Sequence, residues 1–82
     1  MKNSKVTVKT TQILQASVLG TTAFNNGLKA VPHFDKDLSK MIENRNIGET
    51  PKGEASSILL YKAWLNAWHN ANRSKATTAV NN

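Results

Sequence analysis

Cysteine is absent from this chain of 82 residues. Its absence excludes disulfides, thiolate metal sites and cysteine nucleophiles. The two histidines, His33 and His69, fall on different predicted elements with no cluster of carboxylates beside either, so we expect no metal ion and no cofactor. A single domain of this length buries only about 60% of its unfolded surface, which leaves little room for an enclosed active site. We therefore predict that the chain is not an enzyme and has no catalytic residues.

Long apolar runs are also missing. The segment Ile13–Gly20 follows several lysines and faintly imitates a signal peptide. It is too short for one, and Gln15 and Ser17 interrupt it. We expect no membrane-spanning helix, no membrane partner and a cytoplasmic location.

Acidic residues are few, because 5 of them stand against 11 basic ones and give a formal net charge of +6. On so small a surface this excess favours partners of negative potential, such as RNA, DNA or an acidic protein groove. The candidate partner-binding residues form three groups: Lys2, Lys5 and Lys9 in an N-terminal arm, Lys36, Lys40 and Lys62 on predicted helices, and Arg73 and Lys75 near the C-terminus.

Each of these observations has a structural alternative. A basic excess can serve solubility alone. The lysines of the arm can belong to a solvated tail. Arg73 and Lys75 follow the predicted end of a helix, where cations interact favourably with the helix dipole. The sequence leaves these alternatives open.

The most informative segment runs from Ile58 to Asn72 and contains both tryptophans and the only tyrosine. Trp64 and Trp68 are four residues apart, which places them on one face of an α-helix. The apolar residues form two adjacent rows: Ile58, Tyr61, Leu65 and Trp68 in one, and Leu60, Trp64, Ala67 and Ala71 in the other. We predict a third helix, ending near Asn72, that fills the core. The alternative is an exposed aromatic edge that stacks on unpaired bases.

Small residues mark the first predicted helix. We expect it to begin near Thr10 or Thr11, either of which can cap it, and to stop at Gly27 in the left-handed conformation. Positions 16, 20, 23 and 27 carry alanine or glycine, which leaves one face without bulk for a tryptophan of the third helix. The predicted core residues are Trp64, Trp68, Leu65, Phe24 and Gly20.

Asp35 is the predicted N-cap of a short second helix that reaches Ile42. The fold is therefore predicted to be all-α, a small three-helix domain. Its core is predicted to be an antiparallel hairpin of the first and third helices. We place a flexible basic arm at residues 1–10, the helical domain at 11–72 and a disordered tail at 73–82.

Two short motifs carry a family resemblance. The segment Trp64–Ala71 (WLNAWHNA) resembles the closing helix of ribosome modulation factor and of related short bacterial, phage and plasmid proteins, in which W-L-x-[GA]-W-x-x-A recurs. The segment Ala23–Gly27 (AFNNG), followed by Pro32, is similar to the family's first element, a helix end before a proline-containing loop. The resemblance covers roughly residues 20–71, with a longer insert between the motifs. It implies binding to ribosomal RNA on the small subunit, which silences translation when growth stops.

Two functions remain after these exclusions. The leading hypothesis is a small basic regulator, of phage, plasmid or bacterial origin, that binds RNA or a ribonucleoprotein. The alternative is an inhibitor of a host protein machine, comparable to an anti-CRISPR protein, that presents basic side chains where nucleic acid would lie. The sequence leaves the oligomeric state open.

Overall fold

The computed structural model describes residues 7–43, 45 and 49–80. They form helix α1 (Val8–Asn25), a 3-10 turn (Pro32–Phe34), helix α2 (Lys36–Ile42) and helix α3 (Ser57–Val80). No strand occurs in these ranges, so the all-α prediction with three helices is confirmed. Residues 1–6 of the predicted basic arm, with Lys2 and Lys5, lie outside the described residues.

Helix α1 begins earlier than the sequence indicated. Thr7 is the N-cap, and its hydroxyl oxygen accepts a hydrogen bond of 3.1 Å from the backbone N–H of Thr10. The predicted cap at Thr10 or Thr11 is therefore wrong, and residues 8–10 belong to the helix rather than to the arm. All three threonines can cap a helix, and no residue between them interrupts helical backbone.

The end of α1 is the predicted one. Gly27 has a φ of 81°, and its N–H donates to the carbonyl oxygen of Phe24 at 3.0 Å. The N–H of Leu28 donates to the carbonyl oxygen of Ala23 at 2.9 Å. This pair of bonds is the Schellman motif, in which glycine is favoured because it has no Cβ to clash in the left-handed conformation.

Side chains also cap the other two helices. Asp35 Oδ1 accepts from the N–H groups of Asp37 and Leu38 at the start of α2, as predicted. At α3 the hydroxyl oxygen of Ser56 accepts from the N–H of Leu59 at 3.1 Å.

Helix α3 continues to Val80, so the predicted end near Asn72 is wrong. The predicted tail at 73–82 thus contains helix as far as Val80. The prediction relied on the loss of apolar periodicity after Asn72. A helix does not require apolar periodicity, because its backbone hydrogen bonds form wherever proline is absent, and neither glycine nor proline occurs after Gly53.

Helices α1 and α3 run in the same direction, and the predicted antiparallel hairpin is wrong. Gln12 contacts Glu54 just before α3, Gly20 faces Trp64, and Phe24 packs on Trp68. Residues near the start of α1 therefore contact residues near the start of α3, and residues near its end contact later residues of α3. A short loop would force neighbouring helices to be antiparallel, but residues 26–56 form a connection long enough to carry α2 and return the chain to the same end.

The core lies between α1 and α3 and is closed by α2. Its fully buried side chains are Ala16, Ala23, Leu38, Ala55, Leu60 and Trp64. A Cβ on Gly20 would lie 2.1 Å from the carbonyl oxygen of Trp64, so glycine is required for this close approach. Of the other predicted core residues, Phe24, Leu65 and Trp68 are half-buried around this centre.

Candidate nucleic-acid interface

Charge is segregated along the chain. All five acidic residues lie between Asp35 and Glu54, and this interval also holds four of the eleven basic residues. The interval therefore has a formal charge of −1, and the remaining sequence has +7. Helices α1 and α3 contain no acidic residue at all. This signal was available in the sequence, but net charge alone conceals it.

Two of the acidic side chains serve the fold. The carboxylate of Glu54 accepts hydrogen bonds of 3.0 Å from Gln12 Nε2 and Arg45 Nη2, and Gln12 also accepts from the N–H of Ala55 at 2.8 Å. The hydrogen bond from Gln12, then the hydrogen bond and charge of Arg45, lower the pKa of Glu54. Asp35 is only 7% exposed. Neither group is well placed to repel an approaching anion.

One face of α3 presents a row of exposed polar and basic side chains. Lys62, Asn66, His69 and Arg73 follow one another at steps of four, three and four residues, which places them on one face of the helix. We call these four residues the basic row. At about 1.5 Å per residue it is roughly 16 Å long. Arg73 Nη2 donates to Asn70 Oδ1, which holds the guanidinium along the helix.

A groove of about 470 Å³ lies beside the basic row, between α1 and α3. Its polar lining consists of hydroxyl and amide side chains only: Ser17, Thr21, Asn66, Asn70 and Ser74. These groups donate and accept hydrogen bonds and carry no charge. The sequence prediction missed them, although the spacing of four residues between Ser17 and Thr21, and again from Asn66 to Asn70 to Ser74, indicates a shared face.

Aromatic rings border the basic row at the end of α1. The Trp68 ring makes edge-to-face contacts with Phe24 and His69, each with ring centres 5.2 Å apart. Lys75 Nζ lies 5.8 Å from the centre of the Phe24 ring. Trp68 Nε1 donates to the carbonyl oxygen of Leu28 at 2.9 Å, so the Schellman turn fixes this ring.

The two tryptophans differ in burial. Trp64 is fully buried and belongs to the core, as predicted. Trp68 is half-buried at the border of the basic row. The two tryptophans therefore do not form an exposed pair of stacking rings, and the ring beside Trp68 that is exposed is that of His69.

The structure brings together some predicted partner-binding residues and separates others. Lys62 and Arg73 share the basic row, whereas Lys75 Nζ lies over the Phe24 ring, on the side of α3 that faces α1. Lys36 and Lys40 are exposed on α2, the helix that also carries Asp37. The remaining described lysine of the set, Lys9, is exposed in the first turn of α1.

Within the described residues, no three histidine, aspartate or glutamate side chains lie close enough to hold a metal ion. None of the described helices is both long and apolar enough to cross a membrane. No family model, curated protein or solved structure matches this chain significantly.

Proposed function

We propose that this protein is a small, non-enzymatic, cytoplasmic module that binds RNA or a ribonucleoprotein through the basic row and the neighbouring polar groove. The observation that carries the proposal is the position of Lys62 and Arg73 on one exposed face of a helix that has no acidic residue. A partner with closely spaced negative charges fits such a surface, because each cation can neutralise a phosphate and release a counterion.

In this proposal, different side chains of the interface bind the phosphate, ribose and base of an RNA strand. Arg73 offers a guanidinium fork and Lys62 a point charge for phosphate oxygens. Asn66 and Asn70, with the hydroxyls of Ser17 and Thr21, match the hydrogen-bonding capacity of ribose. His69, exposed beside Trp68, offers a ring to an unpaired base.

The resemblance to ribosome modulation factor suggests which RNA to test first. Its two motifs fall on the end of α1 and the middle of α3, and their aromatic residues Phe24 and Trp68 touch. A fragment of small-subunit ribosomal RNA with unpaired loops is accordingly the first ligand to offer.

The alternative function, inhibition of a host protein by occupation of its nucleic-acid site, would use the same basic side chains. The two functions differ in which molecule co-purifies with the protein. RNA binding predicts that purification at low salt retains nucleic acid, with a raised ratio of absorbance at 260 and 280 nm that falls after a high-salt wash. An inhibitor predicts a stable complex with one protein and no nucleic acid. A low absorbance ratio combined with a salt-resistant protein complex would contradict the RNA proposal.

A further inference from the structure

Helix α1 has an outer face without charge. Residues 10–28 include no Asp, Glu, Lys or Arg, and this interval covers nearly all of α1. A helix that packs on one side normally presents charged residues on the other. Here Leu14 and Val18, one helical turn apart, are instead 58% and 63% exposed. They lie on the side turned away from the residues that face α3, such as Ala16 and Gly20.

This face includes a groove beside the exposed leucine and valine. The groove has a volume of about 410 Å³. Its lining comes from α1 and from one residue of α2: Thr11, Leu14, Gln15, Val18, Leu19 and Met41. We call these six residues the uncharged face. Leu14 and Val18 are exposed, so no other part of the described chain covers them.

We propose that the uncharged face is the interface of a symmetric dimer of this chain. Two copies, each with a formal charge of +6, repel one another least when they meet at surfaces where neither carries charge. The uncharged face meets that condition. The uncharged face has no cation that could bind the phosphates of a nucleic acid or the carboxylates of an acidic protein. The core of a protein interface is likewise depleted of charged residues.

The shape of the face also suits a second copy. Around a two-fold axis the same patch meets itself, so each copy must supply both the projecting and the receiving surface. Leu14 and Val18 form a ridge at a spacing of four residues, and the groove beside Met41 receives such a ridge. The ridge of each copy would enter the groove of the other.

The small area of the uncharged face indicates a weak dimer, whose population depends on protein concentration. A standard interface buries about 800 Å² per partner. The accessible surface of the chain is 5973 Å², and α1, with 18 residues, is roughly 27 Å long. One helix face and the adjoining edge of α2 therefore give an interface at the small end of the range, with a monomer present at low concentration.

Sedimentation velocity over a range of concentrations tests the proposal. The wild-type chain should form a dimer, and Val18→Glu should weaken it about tenfold or more, because two carboxylates then meet across the axis. Ile58→Glu is the matched control, since Ile58 is an apolar residue that is 66% exposed, but on α3. A mixture of Val18→Glu with Val18→Lys should restore a mixed dimer. Circular dichroism checks that each variant is folded.

A second measurement uses the absence of cysteine. In Val18→Cys the new thiol is unique, so oxidation should give a disulfide-linked dimer, whereas Ile58→Cys should stay largely monomeric under the same conditions. The proposal is overturned if the wild-type chain is monomeric at every concentration, as it would be if another protein or a lipid covered this face. Equal weakening by Val18→Glu and Ile58→Glu, or equal cross-linking of the two cysteine variants, would overturn it as well.

Discussion

Trp64 Nε1 donates a hydrogen bond of 2.7 Å to Asp35 Oδ2 in the interior of the molecule. The other oxygen of the same carboxylate, Oδ1, caps α2 by accepting from the N–H groups of Asp37 and Leu38. One buried carboxylate thus fixes the start of α2 against the centre of α3. Because both oxygens are used, the charge of Asp35 is compensated by three donors although the residue is only 7% exposed.

Replacement of Asp35 by alanine should therefore destabilise the protein for two reasons. Removal of the cap costs about 0.5–2 kcal/mol, and the buried indole N–H left without a partner costs about 1–3 kcal/mol more. Urea denaturation should show a lower midpoint. Asp37→Ala removes an exposed carboxylate from the same turn and is the control. Equal midpoints for the two variants would show that the hydrogen bond between Asp35 and Trp64 adds nothing to stability.

The two tryptophans should differ in their importance for folding. Trp64 is fully buried and Trp68 is half-buried. Trp64→Ala should cost about 3–5 kcal/mol, because it removes a large side chain and leaves a cavity, and Trp68→Ala should cost less. Thermal denaturation followed by circular dichroism compares them. A larger loss of stability in Trp68→Ala would contradict the assignment of Trp64 as the centre of the core.

Gly20 tests the close approach of α1 and α3. At a solvent-exposed position of a helix, Gly→Ala would stabilise the protein by roughly 0.5–1 kcal/mol. Here the added Cβ would lie 2.1 Å from the carbonyl oxygen of Trp64, so the helices must move apart and we expect a net loss of about 1–3 kcal/mol. Thr22→Ala, at an exposed position of the same helix, is the control. A higher melting temperature in Gly20→Ala would show that the helices separate freely.

The features that the sequence predicted correctly are local ones. Gly27 and Asp35 act through hydrogen bonds to residues one turn away, so residue type and position are enough to identify them. The small residues of α1 and the burial of Trp64 follow from helical periodicity.

Some of the features that the sequence did not predict depend on the path of the chain. The parallel direction of α1 and α3 depends on how residues 26–56 return, and periodicity is the same for either direction. One interaction at the common N-terminal end could not be read from spacing, since Gln12 and Glu54 are far apart in sequence. There the Glu54 carboxylate lies near the N-terminus of α3, where negative charge is favourable.

The stability contributed by Glu54 should depend on pH. Its pKa is lowered in the folded protein by the hydrogen bonds from Gln12 and Arg45. A carboxyl group with a depressed folded pKa stabilises above its ordinary value, here 4.5, and loses that contribution as the pH falls through the folded pKa. The wild-type protein should therefore exceed Glu54→Gln in free energy of unfolding at pH 6, and the difference should disappear as the pH is lowered well below 4.

The control for this prediction is Glu43→Gln, because Glu43 is exposed and follows α2. Its difference from the wild-type protein should change little over the same pH range. Arg45, whose side chain is only 5% exposed, loses its counter-charge when Glu54 is protonated, and this lost ion pair is part of the loss of stability at low pH. A difference between wild type and Glu54→Gln that stays constant from pH 6 to pH 3 would contradict the role of the Glu54 charge.

Two pairs of exposed cations should differ in their contribution to RNA affinity. Lys62→Gln with Arg73→Gln removes two charges from the basic row, and Lys36→Gln with Lys40→Gln removes two from α2. Only the first pair lies on a helix without acidic residues. In fluorescence anisotropy with a ribosomal RNA fragment, the first double variant should bind more weakly. Its slope of log affinity against log salt should fall by about 0.7 for each ion pair with a phosphate of single-stranded RNA that the substitutions remove.

The second double variant lowers the net charge equally, so it separates a specific surface from general attraction. Its salt slope should stay close to that of the wild-type protein, because Lys36 and Lys40 share α2 with Asp37. Both variants should retain the helical circular dichroism, since all four side chains are exposed. Equal losses in the two double variants would mean that net charge alone attracts RNA. Unchanged affinity in both would remove the basic row as the binding surface.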